Sequence, residues 1–322
     1  MPVTVEIPTE KWSGAVRKVT LGAMADQGGT RTRTVTVGGE TTLPFLHFEG
    51  QMPNPPVVGI EIQDYEPLDW SPLLLEVWGE VVKDPAAWAK EAEAKGADLI
   101  MLRLRGSDNE GNETTAEQAA ETVKKVLGAT GLPLVVRGPG QAERDNELLI
   151  AVAEAARGER IVLGLCEEKN YATIVAAAQA HQQLVISSTP MDVNLSKQLI
   201  ILIKDLGLPL DRILMDPTTG ALGYGIEYGY SVMERLRLAA FQGDGMTQQP
   251  MICFVGEECW RQKESKVGEG VPEEWGDWKK RAITWETITA TSLIQTGADI
   301  VVLRHPESVK NVKATIQKLM SQ

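Results

Sequence analysis

Along the chain, short β-branched apolar runs alternate with longer segments whose apolar residues recur every three to four positions, the periodicities of strand and helix. Eight strand-like runs stand out: 57–62 (VVGIEI), 98–104 (DLIMLRL), 134–137 (LVVR), 161–165 (IVLGL), 184–187 (LVIS), 212–216 (RILMD), 251–255 (MICFV) and 299–303 (DIVVL). Helical spacing follows each of them, near 85–95, 114–128, 143–157, 170–180, 193–206, 226–241, 279–296 and 306–321. Glycines in KGAD, TGLP, LGLPLDR and TGAD read as helix C-caps leading into the second, third, sixth and eighth strands. Such βα alternation predicts a parallel sheet covered by helices. Eight repeats favour closure into a (β/α)8 TIM barrel over residues 57–322. An open doubly wound sheet is the alternative, because strand order is not written in one sequence.

Residues 1–56 fall outside this repeat. Two alternating runs, Arg17 to Leu21 and Thr32 to Val37, flank QGG and end at GGE, which predicts a β-hairpin extension. MPNPP at 52–56 then leads stiffly into the first barrel strand. The extension reads either as a cover for the N-terminal mouth of the barrel or as a separate binding module.

Composition narrows the function classes. The 322 residues carry 32 basic and 44 acidic side chains, a formal net charge of -12 that repels a phosphate backbone and argues against nucleic acid as a partner. No apolar run approaches the roughly 20 residues that span a bilayer, and the N-terminal MPVTVEIPTEKW lacks the basic and apolar regions of a secretory leader. The expectation is a cytoplasmic protein with no membrane partner. Cys166, Cys253 and Cys259 form no CxxC pair and cannot by themselves supply the four thiolates of an iron–sulfur cluster.

In a barrel the chemistry belongs to the loops after the strands. The most informative is DPTTGALGYGIEYGYS at 216–231, where Gly220, Gly223, Gly225 and Gly229 remove side chains and let backbone approach a large flat ligand, or simply serve helix entry. Its GxGxxxG spacing departs from the dinucleotide fingerprint. Asp216-Pro217 reads equally as a substrate anchor and as loop scaffolding. Glu167 and Glu168 are an acid/base pair or a solvated loop, and Cys166 is a nucleophile or a buried small residue, with His181 in the next helix. The long segment 256–285 holds four of the eight tryptophans, Trp260, Trp275, Trp278 and Trp285, either packed on the barrel or facing a partner. HExxH, GxSxG and P-loop patterns are absent, His47, His181 and His305 lack metal-ligand spacing, and no lysine lies within a strand run. The DxHxxG motif, whose histidine ligates cobalt in B12 proteins, is absent too.

LMDPTTGALGYGIEYGYSVMERLRLAAFQGD, CEEKNYATI, STPMDVNLSKQLI and the tail from FVGEECWRQKE to ADIVVLRHPES resemble the small subunit of the corrinoid iron–sulfur protein, the delta-type subunit of acetyl-CoA decarbonylase/synthase, over nearly the whole chain. The resemblance implies a heterodimer with a large subunit that alone carries a [4Fe–4S] cluster and holds the corrinoid (cobalamin) domain. It implies methyl transfer from methyltetrahydrofolate, through a methyltetrahydrofolate methyltransferase, to carbon monoxide dehydrogenase/acetyl-CoA synthase in the reductive acetyl-CoA pathway. By that analogy corrinoid contacts fall on the loops after strands four to seven, at Asn170, Thr189, Asp216, Thr218, Gly220, Leu222, Gly223, Tyr224 and Gly225, with no catalytic or metal-ligating residue of its own. Two other readings stay open. In one, the chain is a pterin-binding methyltransferase in which Asp216 and Asn170 hold the pterin edge. In the other, it is a docking subunit without cofactor contact.

Overall fold

The computed structural model describes residues 6–321. Residues 1–5, the start of the expected extension, and residue 322 lie outside that description. Ten strands are β1 (Val19–Leu21), β2 (Val35–Val37), β3 (Val57–Gln63), β4 (Leu99–Arg103), β5 (Leu134–Arg137), β6 (Val162–Cys166), β7 (Leu184–Ser188), β8 (Ile213–Asp216), β9 (Met251–Cys253) and β10 (Ala298–Leu303). The helices are α1 (Pro72–Trp78), α2 (Pro85–Ala94), α3 (Ala116–Ala129), α4 (Ala142–Ala155), α5 (Tyr171–His181), α6 (Val193–Asp205), α7 (Ile226–Phe241), α8 (Val255–Trp260), α9 (Lys263–Lys266), α10 (Trp278–Gln295) and α11 (Pro306–Met320). β3 to β10 close in chain order into one parallel barrel, with β10 paired back onto β3. The open-sheet alternative is thereby excluded.

Strand alternation divides the apolar residues between two cores. One face of each strand packs against the surrounding helices, as Ile60, Ile62, Leu102 and Val136 do. The other face, including Leu99, Met101, Val135, Ile186, Leu214, Ile252 and Val302, fills the barrel interior. Gly59 leaves room in that interior, since a Cβ there would lie 2.6 Å from Leu99 Cδ1 of the next strand.

The hairpin expectation holds: β1 and β2 pair antiparallel, Val19 with Val37 and Leu21 with Val35. These four side chains are buried in the same cluster as the barrel interior, so the hairpin plugs one end of the barrel. Its strands are shorter than expected because the ends of the two runs bond outside the hairpin, the Arg17 amide to the Gln248 carbonyl and the Thr32 amide to the Gly131 carbonyl. Arg31 is 3 % exposed, pairs with Glu159 at 3.0 Å, and donates to the carbonyls of Leu127, Thr130 and Leu132 where α3 ends. A cation at a helix C-terminus also complements the helix dipole.

Beyond the expected helices, α1 forms behind a proline at its first turn, and the seventh strand run ends at Cys253 rather than 255 because α8 starts there. The segment 256–285, read as a long loop, contains α8, α9 and the start of α10. Arg281 gathers it by donating to the carbonyls of Glu264 and Val267, each at 2.7 Å. Trp278 donates to the Ser265 carbonyl at 2.8 Å, and Trp260 is buried in a stack with His305. These tryptophans therefore pack the segment onto its own barrel. Trp275 lies outward between Lys263 and Arg281.

Candidate functional site at the barrel mouth

The alternation that fills the interior with apolar side chains changes character at the strand ends. Two residues beyond Met101, Val135, Ile186, Leu214 and Val302 come Arg103, Arg137, Ser188, Asp216 and Arg304. Gln63, Arg103, Arg137 and Gly164 stand level across β3 to β6, and Ser188 stands beside Asp216. The interior therefore ends in a polar layer at the C-terminal mouth, as an active (β/α)8 face requires.

Two ion-pair groups organise it. Arg304 pairs with the fully buried Glu61 through Nε and Nη2, at 2.8 and 2.7 Å, with its guanidinium 4.6 Å from the Trp70 ring centre. Glu257, in the first turn of α8, takes Arg103 on one carboxylate oxygen at 2.5 Å and Arg137 on the other. Burial works against the Glu257 charge, but Arg137, Arg103 and Arg304 outweigh it and bring the carboxyl down to about 2. Asp64 behaves oppositely: burial lifts it to about 6 although the Arg105 amide donates to one oxygen at 2.9 Å, and its other oxygen is buried without a partner among the described residues.

Asp216 is buried, and burial raises it to about 6 despite a 2.9 Å bond from Ser188 Oγ and a 3.0 Å bond from the Thr218 amide. Thr218 has a left-handed φ of 66° and donates from Oγ1 to the Thr189 carbonyl at 2.6 Å. Thr219 Oγ1 accepts from the Phe254 amide at 2.9 Å. These bonds stitch the loops after β7, β8 and β9 together, so the scaffolding role of Asp216 is plain. Asn170 is likewise a loop clamp: its Oδ1 accepts from the Glu167 amide at 2.7 Å and its Nδ2 donates to the Leu165 carbonyl at 3.1 Å.

Beside this seam opens a cleft of about 590 Å³. Ser188, Thr189, Thr218 and the 167–169 segment form its polar end, and Met191, Leu195, Leu199 and Leu202 its apolar wall. Glu167 and Glu168 are solvent-exposed, while Cys166 is buried and burial pushes its thiol up, away from a nucleophile's range.

The site residues expected from the sequence thus separate. Thr189 and Thr218 line the cleft, and Asn170 and Asp216 hold its walls in place. Leu222 belongs to a second groove of about 510 Å³ shared with Trp275 and Trp285, with Gly223 facing Trp285. Tyr224, 44 % exposed, donates its hydroxyl to Glu264 at 2.9 Å. Gly220 and Gly225 meet each other: a Cβ on Gly220 would lie 2.4 Å from the Gly225 carbonyl oxygen, so the loop's own closure requires that glycine. The charged residues Glu61, Arg103, Arg137, Glu257 and Arg304 received no role from the sequence. Their signal was present in LIMLRL and LVVR, where a charge continues the inward-facing set of a strand. Among the described residues, no three His, Cys, Asp or Glu side chains are grouped to hold a metal, and no helix is long and apolar enough to cross a membrane.

Solved structures share the architecture. A dihydropteroate synthase from Xanthomonas albilineans with 4-aminobenzoic acid superposes with a TM-score of 0.55 at 15 % identity, over 84 % of this chain and 94 % of that one. The Coxiella burnetii dihydropteroate synthase in complex with pteroic acid gives 0.54 at 14 %, over 87 % and 99 %. At these identities the likeness is one of fold. Sequence relatives are far nearer. The acetyl-CoA decarbonylase/synthase complex subunit delta 1 of Methanosarcina thermophila is 38 % identical over 315 residues, 96 % of this chain and 72 % of its own length. The delta subunit of Archaeoglobus fulgidus is 36 % identical over 318 residues, covering 96 % and 70 %. A family model described as CO dehydrogenase/acetyl-CoA synthase delta subunit matches residues 18–317, from the hairpin plug to the last helix, and this chain belongs to that family.

Proposed function

We propose that this chain is the small, delta-type subunit of a heterodimeric corrinoid iron–sulfur methyl carrier, and that its barrel mouth covers one face of a corrinoid held jointly with the larger subunit. The observation that supports this reading best is the cleft beside the β7–β8 seam, open on one side, with hydroxyl groups at one end and an apolar wall along the other. A partly apolar macrocycle bearing polar substituents suits such a half-enclosure. Ser188 and Thr218, whose hydroxyl protons go to Asp216 and the Thr189 carbonyl, would accept bonds from N–H groups on its polar edge, and Met191, Leu195 and Leu199 would meet its apolar one. When bound, the corrinoid supplies a cobalt centre that accepts a methyl group originating on methyltetrahydrofolate and delivers it to acetyl-CoA synthase. This chain's residues shield that centre from water and hold the mouth rigid while the partner domain moves. The [4Fe–4S] cluster belongs to the larger subunit in this reading, and the chain itself performs no bond chemistry.

The pterin-binding reading finds less support. Asn170 directs its amide to its own loop, and both Asp216 oxygens accept bonds from within the barrel. Anaerobic coexpression with the presumptive large subunit tests the proposal. A 1:1 complex with corrinoid absorbance is expected. Micromolar binding of methyltetrahydrofolate by the isolated chain, with methyl release to free cobalamin, would overturn it.

A further inference from the structure

Among the arginines inside and at the ends of the barrel, four show two distinct conditions. Arg31 and Arg304 direct their guanidinium groups into buried partners: Arg31 to one carboxylate and three carbonyls, Arg304 to both oxygens of Glu61. Arg103 and Arg137 do not. Each makes a single side-chain hydrogen bond among the described residues, to Glu257, leaving the Nε and Nη2 donors of both free. Their side chains are 24 % and 16 % exposed, so those donors face the solvent of the mouth.

The placement is unfavourable without an anion. Arg103 and Arg137 are direct cross-strand partners, and like charges so opposed repel. Arg137 is also fixed in orientation, its guanidinium 4.7 Å from the centre of the Phe254 ring. Glu257 resolves the repulsion by offering one oxygen to each guanidinium, which shows the geometry the pair accepts: two oxygens on one central atom, the shape common to a carboxylate and a phosphate. Against its burial, Arg137, Arg103 and Arg304 hold the Glu257 carboxyl well below the usual carboxylate range, which favours its charged form. Its own side chain is 18 % exposed, so a competing ligand reaches it from solvent.

We propose that Arg103 and Arg137 form an oxyanion site in the barrel mouth, and that Glu257 is an internal stand-in which the carboxylate or phosphate group of a ligand replaces. The site is independent of the corrinoid reading and lies on β4 and β5, apart from the cleft beside β7 and β8. A tethered competitor makes the wild-type site weak and exchangeable, and its removal makes the site tight.

The test is an arginine-selective ¹H–¹⁵N spectrum of the full chain, titrated separately with inorganic phosphate and with acetate. Saturable shifts of the Arg103 and Arg137 Nε signals are expected in the wild type, with those of Arg31 and Arg304 unmoved. Glu257→Gln should bind roughly tenfold tighter or better. Arg137→Lys, which keeps charge and bulk but loses the fork, should weaken the Arg103 response. The anion that saturates at the lower concentration assigns the ligand group as phosphoryl or carboxylate. Absence of a saturable shift in the wild type overturns the proposal, as does a Glu257→Gln variant that binds no tighter.

Discussion

The two ends of this barrel are built from the same strands by the same alternation and have opposite chemistry. At the N-terminal end the inward positions meet Val19, Leu21, Val35 and Val37 of the hairpin, and the interior is sealed in apolar contact. At the C-terminal end the inward positions become Arg103, Arg137, Ser188, Asp216 and Arg304, and the interior opens on a charged layer and a cleft. Buried charge occurs at both ends, but its use differs. At the floor, cations bind backbone carbonyls and lock the extension to the barrel. At the mouth, Arg304 is buried on Glu61, whereas Arg103 and Arg137 reach solvent, share Glu257 and leave donors free. The contrast predicts that stability is concentrated at the closed end and binding at the open one.

Three substitutions probe that contrast. The largest effect belongs to Arg31→Ala, which removes a saturated guanidinium from the floor and leaves Glu159 buried without its partner. A loss of about 3–5 kcal/mol is expected by chemical denaturation. A loss under about 1 kcal/mol, the size typical of exposed ion pairs, would erase the distinction between the two ends.

The second concerns Glu40 of the extension, buried beside Asp299 at the start of β10 and Arg237 on α7. One guanidinium serves two carboxylates there. Burial, then the Asp299 charge, lift Glu40 to about 8, with Arg237 opposing them. Because the folded value lies above the unfolded one near 4.5, the contribution of Glu40 is fully present below about 4.5 and is lost as pH rises through about 8. Glu40→Gln removes the ionisation. Its melting temperature should gain on the wild type as pH rises from about 4.5 to about 8, and the difference should hold level above that. A constant difference from about pH 4.5 to about pH 8 would show that no proton is held at this end.

The smallest effect is expected at the mouth. Asp216 also has a raised folded value, about 6 against 3.8, so its contribution is present below 3.8 and lost as pH rises through about 6. Asp216→Asn should be slightly less stable than the wild type in acid, where one accepting oxygen is lost, and should draw level or better above about pH 6. The swing between the two limits should be no more than about 3 kcal/mol, the size set by the distance between 3.8 and about 6. A large loss at neutral pH would place Asp216 among the stabilising charges of the floor type.

Much of the architecture was legible because burial on both faces makes barrel strands read as short β-branched runs, and because glycine caps mark the joints between units. The run at 226–241 became α7 with the same limits. The segment 256–285 was harder. Its helices are short, and they are held by Arg281 and Trp278 reaching back to carbonyls at 264–267, contacts that no local periodicity announces. The site divides in the same way. Thr189 and Thr218 line the cleft because the loops after the strands form the rim of a barrel mouth. The glycine run at 220–225 kept both of its readings in sequence, since a glycine demanded by backbone crowding, as at Gly220, and one opened for a ligand look identical there. The Arg103–Glu257–Arg137 group was invisible as a unit because Glu257 lies 154 residues from one arginine and 120 from the other.

The barrel is not equally tight around its circumference. β3 and β4 share five paired positions, whereas β8 and β9 share one, Met215 with Met251, and the next junction, β9 to β10, slips its register. This loosely joined stave lies between the glycine loop and the tryptophan-rich segment, directly beneath the mouth. In mechanical terms it is a pinned joint: where strand pairing is thinnest, the bond from the Phe254 amide to Thr219 Oγ1 carries the closure across the mouth, and the sealed floor holds the staves together at the other end.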